Sequence, residues 1–139
     1  MQIKEFHLPA DLKVFGLQVK TFPDGIGQAF DALVQTIPGG FDRPYYGIAH
    51  MTADGQLIYN ATALEKQPGE PEKYGYERYF IEKGNYLTIT VNEWRSQIAC
   101  IKDVFHTIMQ DERADKTKPC IEWYKNDKEM LCMVKMKPL

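Results

Sequence analysis

A single carboxylate interrupts what otherwise reads as an apolar strand. In Pro119-Cys120-Ile121-Glu122-Trp123-Tyr124, Glu122 is the one charged residue among aliphatic, aromatic and thiol side chains. Side chains alternate along an extended chain, so Ile121 and Trp123 share one face while Cys120, Glu122 and Tyr124 share the other. With Ile121 and Trp123 set against a helix layer, Glu122 is expected to point into the opposite, concave face. A wet surface, or an ion pair with a neighbouring Lys or Arg, would account for a lone strand glutamate equally well, because burying an unpaired carboxylate is costly. The tyrosines tilt that balance. Tyr45, Tyr59, Tyr74, Tyr76, Tyr86 and Tyr124 fall on expected strands and their connector. Aromatic walls attract flat rings and cations, and a carboxylate among them neutralises positive charge; the combination suits a planar, apolar cation.

No other constellation of residues competes. Cys100, Cys120 and Cys132 form no CxxC pair, and His7, His50 and His106 are far apart, so neither a metal site nor a cofactor is expected. Free thiols suit a reducing cytosol. No Ser-His-Asp order is present. The net charge is −2, and the lysines near the end (116, 118, 125, 128, 135 and 137) interleave with Glu122, Asp127 and Glu129; direct nucleic-acid binding, which rewards clustered cations, is not expected. Met1 to Lys13 lacks the apolar core of a signal peptide. No apolar run approaches the roughly 18 residues of a membrane span. Asn60-Ala61-Thr62 matches a glycosylation sequon, which without secretion is a chance match. These features predict a cytoplasmic protein whose main partner is a small molecule, with a partner protein or a homodimer left open.

Periodicity supplies the elements that must position Glu122. Leu12 to Thr21 reads as a strand with Phe15, Leu17 and Val19 on one face, broken at Pro23-Asp24-Gly25. Asp24 is expected to cap a helix in which Ile26, Ala29, Phe30, Leu33, Val34 and Ile37 form one stripe. Pro38-Gly39-Gly40 ends it. Pro44–Met51 and Leu57–Glu65 follow as a hairpin turned at Ala53-Asp54-Gly55. Gln67 to Gly75, rich in proline and charge, reads as a connector. Tyr79–Glu82 and Tyr86–Val91 are then expected as strands. Asn92 is expected to cap a second helix buried along Trp94, Ile98, Ile101, Phe105 and Ile108, beneath Leu87, Ile89, Ile121 and Trp123. Lys118–Lys125 and Glu129–Met136 make a last hairpin turned at Asn126-Asp127-Lys128.

The order is strand, helix, strand, strand, twice over. Residues 43–50, Arg43-Pro44-Tyr45-Tyr46-Gly47-Ile48-Ala49-His50, align without gaps on residues 118–125, Lys118-Pro119-Cys120-Ile121-Glu122-Trp123-Tyr124-Lys125. One helix per half cannot cover its strands alone, so the halves are expected to join into one α+β domain over residues 1–139, with repeats at about 12–66 and 77–139. The expected architecture is a curved antiparallel sheet with both helices on one face and a ligand cleft between the halves, the face opposite the helices being left open.

This layout, with Arg43-Pro44-Tyr45-Tyr46-Gly47 after the first helix and Pro119-Cys120-Ile121-Glu122-Trp123-Tyr124 and Asn126-Asp127 after the second, resembles the GyrI-like, AraC-type effector-binding modules of bacterial multidrug regulators. The resemblance runs from about Leu12 to Leu139. It implies that Glu122 is the ligand carboxylate and Tyr124 its partner, and that Tyr45 and Tyr46 match an aromatic pair of which one faces the pocket. Cys120 and Tyr86 complete the expected lining. Met136 stands where members often place a tyrosine, and the proline-rich connector is this chain's own. Only residues 1–11 precede the first expected strand, too few for a helix-turn-helix, so a stand-alone binding or drug-sequestering module of transcription-regulator type is expected. Some members of the family resemble hydrolases that open strained rings. In that second reading Glu122 activates water and Tyr124 polarises the substrate. A third reading, a protein inhibitor such as a gyrase modulator, would use an acidic surface of Glu65, Glu70, Glu72, Glu77 and Glu82.

Overall fold

The computed structural model describes residues 2–21 and 24–138. Eight strands, β1 (Lys4–Leu8), β2 (Leu12–Gln18), β3 (Tyr45–Met51), β4 (Leu57–Leu64), β5 (Glu77–Ile81), β6 (Gly84–Asn92), β7 (Cys120–Tyr124) and β8 (Glu129–Lys135), form one antiparallel sheet in the order β1-β6-β8-β7-β3-β4-β2-β5. Three helices, α1 (Ile26–Thr36), α2 (Glu70–Tyr74) and α3 (Ile101–Met109), complete an α+β fold in which the sheet curls into a half-barrel. Among the described residues no helix is long and apolar enough to cross a membrane.

The strand order reads the same from either edge once β1 is matched with β5, β6 with β2, β8 with β4 and β7 with β3. The central ladder is therefore β3 against β7, the two segments that align in sequence. β1 lies ahead of the first expected strand. It pairs with β6, while β5 pairs with β2, so the strand leading into each half completes the edge of the other.

Cross-strand partners share a face of the sheet. On the helix-bearing face Ala29 and Leu33 of α1, with Ile37 just after it, pack onto Phe15, Tyr45, Tyr59, Ala61 and Ala63. On the same face α3 packs Val104 and Ile108 onto Leu87, Ile89, Met130, Cys132 and Val134. The face opposite the helices is not left open. The curl folds it onto itself around a third core of Leu8, Val14, Tyr46, Ile48, Ile81, Tyr86, Ile121 and Met133, against which Trp123 also packs. Ile121 and Trp123 thus line the inside of the curl rather than meeting α3, and the expected orientation of β7 is reversed.

Three local expectations are also corrected. Gly25, at φ 91°, leads into α1 with no side-chain cap, and Asp24 is instead held in a turn by Thr21, whose Oγ1 donates to the Asp24 carbonyl at 2.7 Å. Pro23, the expected strand breaker, lies outside the described residues. Asn92 does not cap a helix: it remains in β6, paired with Glu129. The chain then turns at Glu93 in the left-handed region, φ 53°, and runs through two 3-10 turns, Trp94–Ser96 and Ile98–Cys100, before α3 begins. Ile98 is consequently 63% exposed, Phe105 is only half-buried, and Val104 takes the place assigned to them.

The connector is ordered around a buried ion pair. Arg43 donates from Nη1 and Nη2 to the two Glu70 carboxylate oxygens at 2.8 and 2.9 Å, and also to the carbonyls of Pro38 and Leu64. Glu70 accepts the backbone N–H groups of Lys66 and Gln67 as well. Both side chains are sealed from solvent, and both carboxylate oxygens accept hydrogen bonds, the condition under which a buried ion pair holds. Bonded first by Arg43, the Glu70 carboxyl is lowered to about 2.

Candidate functional site

Glu122 lies on the helix-bearing face, at the junction of the halves, and not on the concave face where it was expected. Its neighbours across the ladders are Gly47 on β3 and Cys132 on β8. Gly47 has no side chain to occupy the space above the ladder, and the Tyr59 hydroxyl and the Glu122 carboxylate fill it instead. Tyr59 Oη donates to Glu122 Oε1 at 2.6 Å and Tyr124 Oη donates to the same oxygen at 2.7 Å. The two hydroxyls are themselves 3.5 Å apart.

Aromatic side chains from both halves close around this group. Tyr124 meets Phe30 of α1 edge-on at 5.3 Å and Trp94 of the first 3-10 turn edge-on at 4.9 Å. Phe30 also meets Tyr45 at 6.2 Å. The Trp94 ring is fixed by its Nε1–H, which donates to the Asn126 carbonyl at 3.0 Å. Tyr124 packs against both helix-side cores and so joins the two halves.

No ammonium or guanidinium of the described residues forms an ion pair with Glu122. Burial raises its carboxyl above the ordinary value, and the two tyrosine hydroxyls offset part of that rise. Burial, reinforced by the Glu122 charge, pushes both Tyr59 and Tyr124 well above 10, so they remain hydrogen-bond donors at neutral pH. The Cys120 thiol rises to about 11 for the same two reasons, and Cys132 rises further. The site thus holds one carboxyl group with no cationic partner among the described residues, beside thiols and phenols that stay protonated at neutral pH.

Of the six residues selected from sequence, Glu122, Tyr124, Cys120 and Tyr45 come together on this face. Tyr45 belongs to the aromatic wall, its hydroxyl spent on the Gly40 carbonyl at 2.6 Å. Tyr46 and Tyr86 do not join them. Both sit in the core inside the curl, where Tyr46 stacks on Trp123 and Tyr86 donates to the Glu82 carbonyl. The reason is parity: Tyr46 follows Tyr45 on the strand and must face the other way. Phe30, Trp94 and Gly47 are not expected at the site from sequence, and Tyr59 is expected only as one of the surrounding tyrosines. Gly47, a glycine inside a strand and aligned with Glu122 in the gap-free match of residues 43–50 on 118–125, is the sequence signal for a close approach here, although it does not identify Tyr59 as the side chain that makes it.

Among the described residues no group of His, Cys, Asp and Glu side chains is arranged to hold a metal ion. Two open depressions, of about 370 and 390 Å³, lie beside Arg43 and Glu70 and beside Val91 and Cys100; neither is lined by Glu122, Tyr59 or Tyr124. The acidic surface proposed for a protein inhibitor is largely neutralised: Glu70 is buried on Arg43, Glu65 and Glu72 meet Arg78, and Glu82 meets Lys118 and Lys135.

No family model and no curated protein matches the sequence. Solved structures do share its fold. SAV2435 bound to tetraphenylphosphonium superposes with a TM-score of 0.70 at 16% identity, covering 99% of this chain and 94% of that one. A protein described as a putative bacterial transcription regulator from Staphylococcus aureus MU50 gives 0.62 at 14% identity, over 99% and 97% of the two chains. A hydrolase from Listeria innocua gives 0.59 at 8% identity, over 98% and 92%.

Proposed function

We propose that this chain is a small-molecule-binding domain of the GyrI-like type that takes an aromatic, cationic ligand at Glu122. One observation carries the reading: a half-buried carboxylate, held by two phenols beneath an aromatic wall, has no cationic partner among the described residues. Such an arrangement is unfavourable by itself and becomes favourable when a cation enters. The rings of Tyr124, Phe30 and Trp94 supply the apolar and cation–π surface. Phe30 and Trp94, from different halves of the fold, each meet Tyr124 and flank the approach to Glu122. The tetraphenylphosphonium bound by a protein of this fold is an aromatic cation, tetrahedral rather than flat. In this reading the chain acts as an effector-binding or drug-sequestering module.

The test is a thermal-shift series with tetraphenylphosphonium, a planar cationic dye and neutral naphthalene on the parent and on Glu122→Gln. A ligand that binds only the folded state raises Tm with concentration. Cations should raise Tm in the parent and much less in the variant, with naphthalene indifferent to the change. Cations that shift both proteins equally would count against Glu122 as the site.

A second reading, hydrolysis, draws support from the raised Glu122 carboxyl, which suits a general base, and from the fold shared with the Listeria innocua hydrolase. It forecasts a different result: Glu122→Gln would bind a strained-ring substrate and leave it intact.

A further inference from the structure

The two oxygens of Glu122 are not equivalent. Oε1 accepts both tyrosine hydroxyls, at 2.6 and 2.7 Å, which fills its two lone-pair directions. Oε2 accepts no hydrogen bond from any described residue. It is also not sealed in, since every fully buried side-chain oxygen and nitrogen among the described residues has a hydrogen-bond partner. The reachable half of the carboxylate is therefore an acceptor in need of a donor, beside an aromatic wall whose own hydroxyls are engaged elsewhere: Tyr45 on Gly40, Tyr124 on Oε1.

A cation can satisfy this site in two ways. A quaternary ammonium or phosphonium brings charge alone and leaves Oε2 facing carbon. A protonated amine brings the same charge and an N–H that Oε2 can accept. A hydrogen bond between charged partners is roughly twice as strong as a neutral one, and a buried acceptor left unmatched carries a desolvation penalty. Resting on the assignment of Glu122 as the ligand carboxylate, we infer that the site selects aromatic cations bearing an N–H donor, protonated aromatic amines, over quaternary cations of the same shape.

A matched set of probes isolates that one hydrogen: (1-naphthylmethyl)dimethylammonium, protonated at pH 7, against (1-naphthylmethyl)trimethylammonium, with neutral 1-ethylnaphthalene as the uncharged reference. Calorimetry on the parent should show the protonated amine binding about tenfold or more tightly than the quaternary ion. In Glu122→Gln the two cations should converge, because the charge that strengthened the N–H contact is gone. A Tyr59→Phe variant, which frees one lone pair of Oε1 without touching Oε2, should keep the preference. Equal affinities of the two cations in the parent, or a preference for the quaternary ion, would overturn the inference while leaving Glu122 as a cation site. Binding of neither cation would overturn both this inference and the assignment beneath it.

Discussion

Gly47 stands directly opposite Glu122 in the central ladder, and the same two residues occupy matching positions when residues 43–50 are aligned on 118–125. The two halves therefore meet where one contributes a carboxylate and the other contributes nothing. A side chain on both strands would leave no space above the ladder; a glycine on both would leave nothing to bind. The asymmetry makes one site at the junction rather than two related ones. A Cβ built on Gly47 would collide with the Tyr59 hydroxyl and Glu122 Oε1, the atoms that define the site.

Gly47→Ala should accordingly damage the site more than the fold. Overpacking of this sort costs about 1–3 kcal/mol, and the displaced atoms are the Tyr59–Glu122 hydrogen bond rather than backbone. We expect a modest loss in urea denaturation together with loss of cation binding by calorimetry. Parent-like binding in a folded Gly47→Ala protein would show that the carboxylate position is not critical.

The Arg43–Glu70 pair makes an opposite kind of prediction, for a carboxylate that is fully compensated. Removing either partner leaves a buried, uncompensated charge, so Arg43→Met or Glu70→Ala should each cost about 3–5 kcal/mol, and the double variant less than their sum. The folded carboxyl, at about 2, holds its proton more weakly than the ordinary value of 4.5. Its contribution is therefore complete above pH 4.5 and fades as the pH falls toward 2. Urea midpoints measured across that range should fall more steeply for the parent than for Glu70→Ala.

The path from β6 into α3 divides residues that look alike in sequence. Ile108 is fully buried, whereas Ile98, on the second 3-10 turn, is 63% exposed. Ile108→Ala should cost about 2–5 kcal/mol, while Ile98→Ala should stay within about 0.5 kcal/mol of the parent. Chemical denaturation of the two variants side by side checks the assignment. Equal losses would mean that the helix begins earlier than residue 101.

The succession of elements along the chain and the duplication were legible because hydrophobic alternation and the aligned segments depend only on local sequence. What was not legible follows from tertiary geometry. Alternation fixed that Glu122 and Tyr124 share a face with Cys120, but it carries no sign, and which face meets the helices was set by the curl that buries Ile121, Met133 and Tyr86 together inside. β1 was missed because its alternation is weak: Lys4, Glu5 and His7 are exposed, and its pairing partner is 80 or so residues away on β6. The buried Arg43–Glu70 pair was hidden because Glu70 lies in the charged, proline-rich stretch that reads as a connector, while Arg43 stands 27 residues earlier, just ahead of β3. Tyr59 was visible as one of several tyrosines, and only the β3–β4 and β3–β7 registers bring it over Gly47.

Glu122 itself couples binding to pH with two opposite signs. Its carboxyl holds a proton more tightly in the folded protein than in the unfolded chain, chiefly through burial. The charged form thus weakens the empty fold: relative stability is greatest below the ordinary carboxylate value and declines as the pH rises through the raised one. Glu122→Gln removes that liability, so at pH 7 the variant should be more stable than the parent by on the order of 1 kcal/mol, an advantage that disappears in acid. Ligand affinity runs the other way. A quaternary probe such as (1-naphthylmethyl)trimethylammonium has no titrating group, so any pH dependence belongs to the protein. Its Kd in the parent should be flat at high pH and weaken about tenfold per pH unit once Glu122 protonates, beginning at a higher pH than an ordinary carboxylate would. In Glu122→Gln the profile should be flat and weak throughout, and 1-ethylnaphthalene should bind both proteins alike. A parent profile that stays flat into acid, beside a Glu122→Gln variant no more stable than the parent at pH 7, would mean that Glu122 carries no uncompensated charge and that the cation site lies elsewhere.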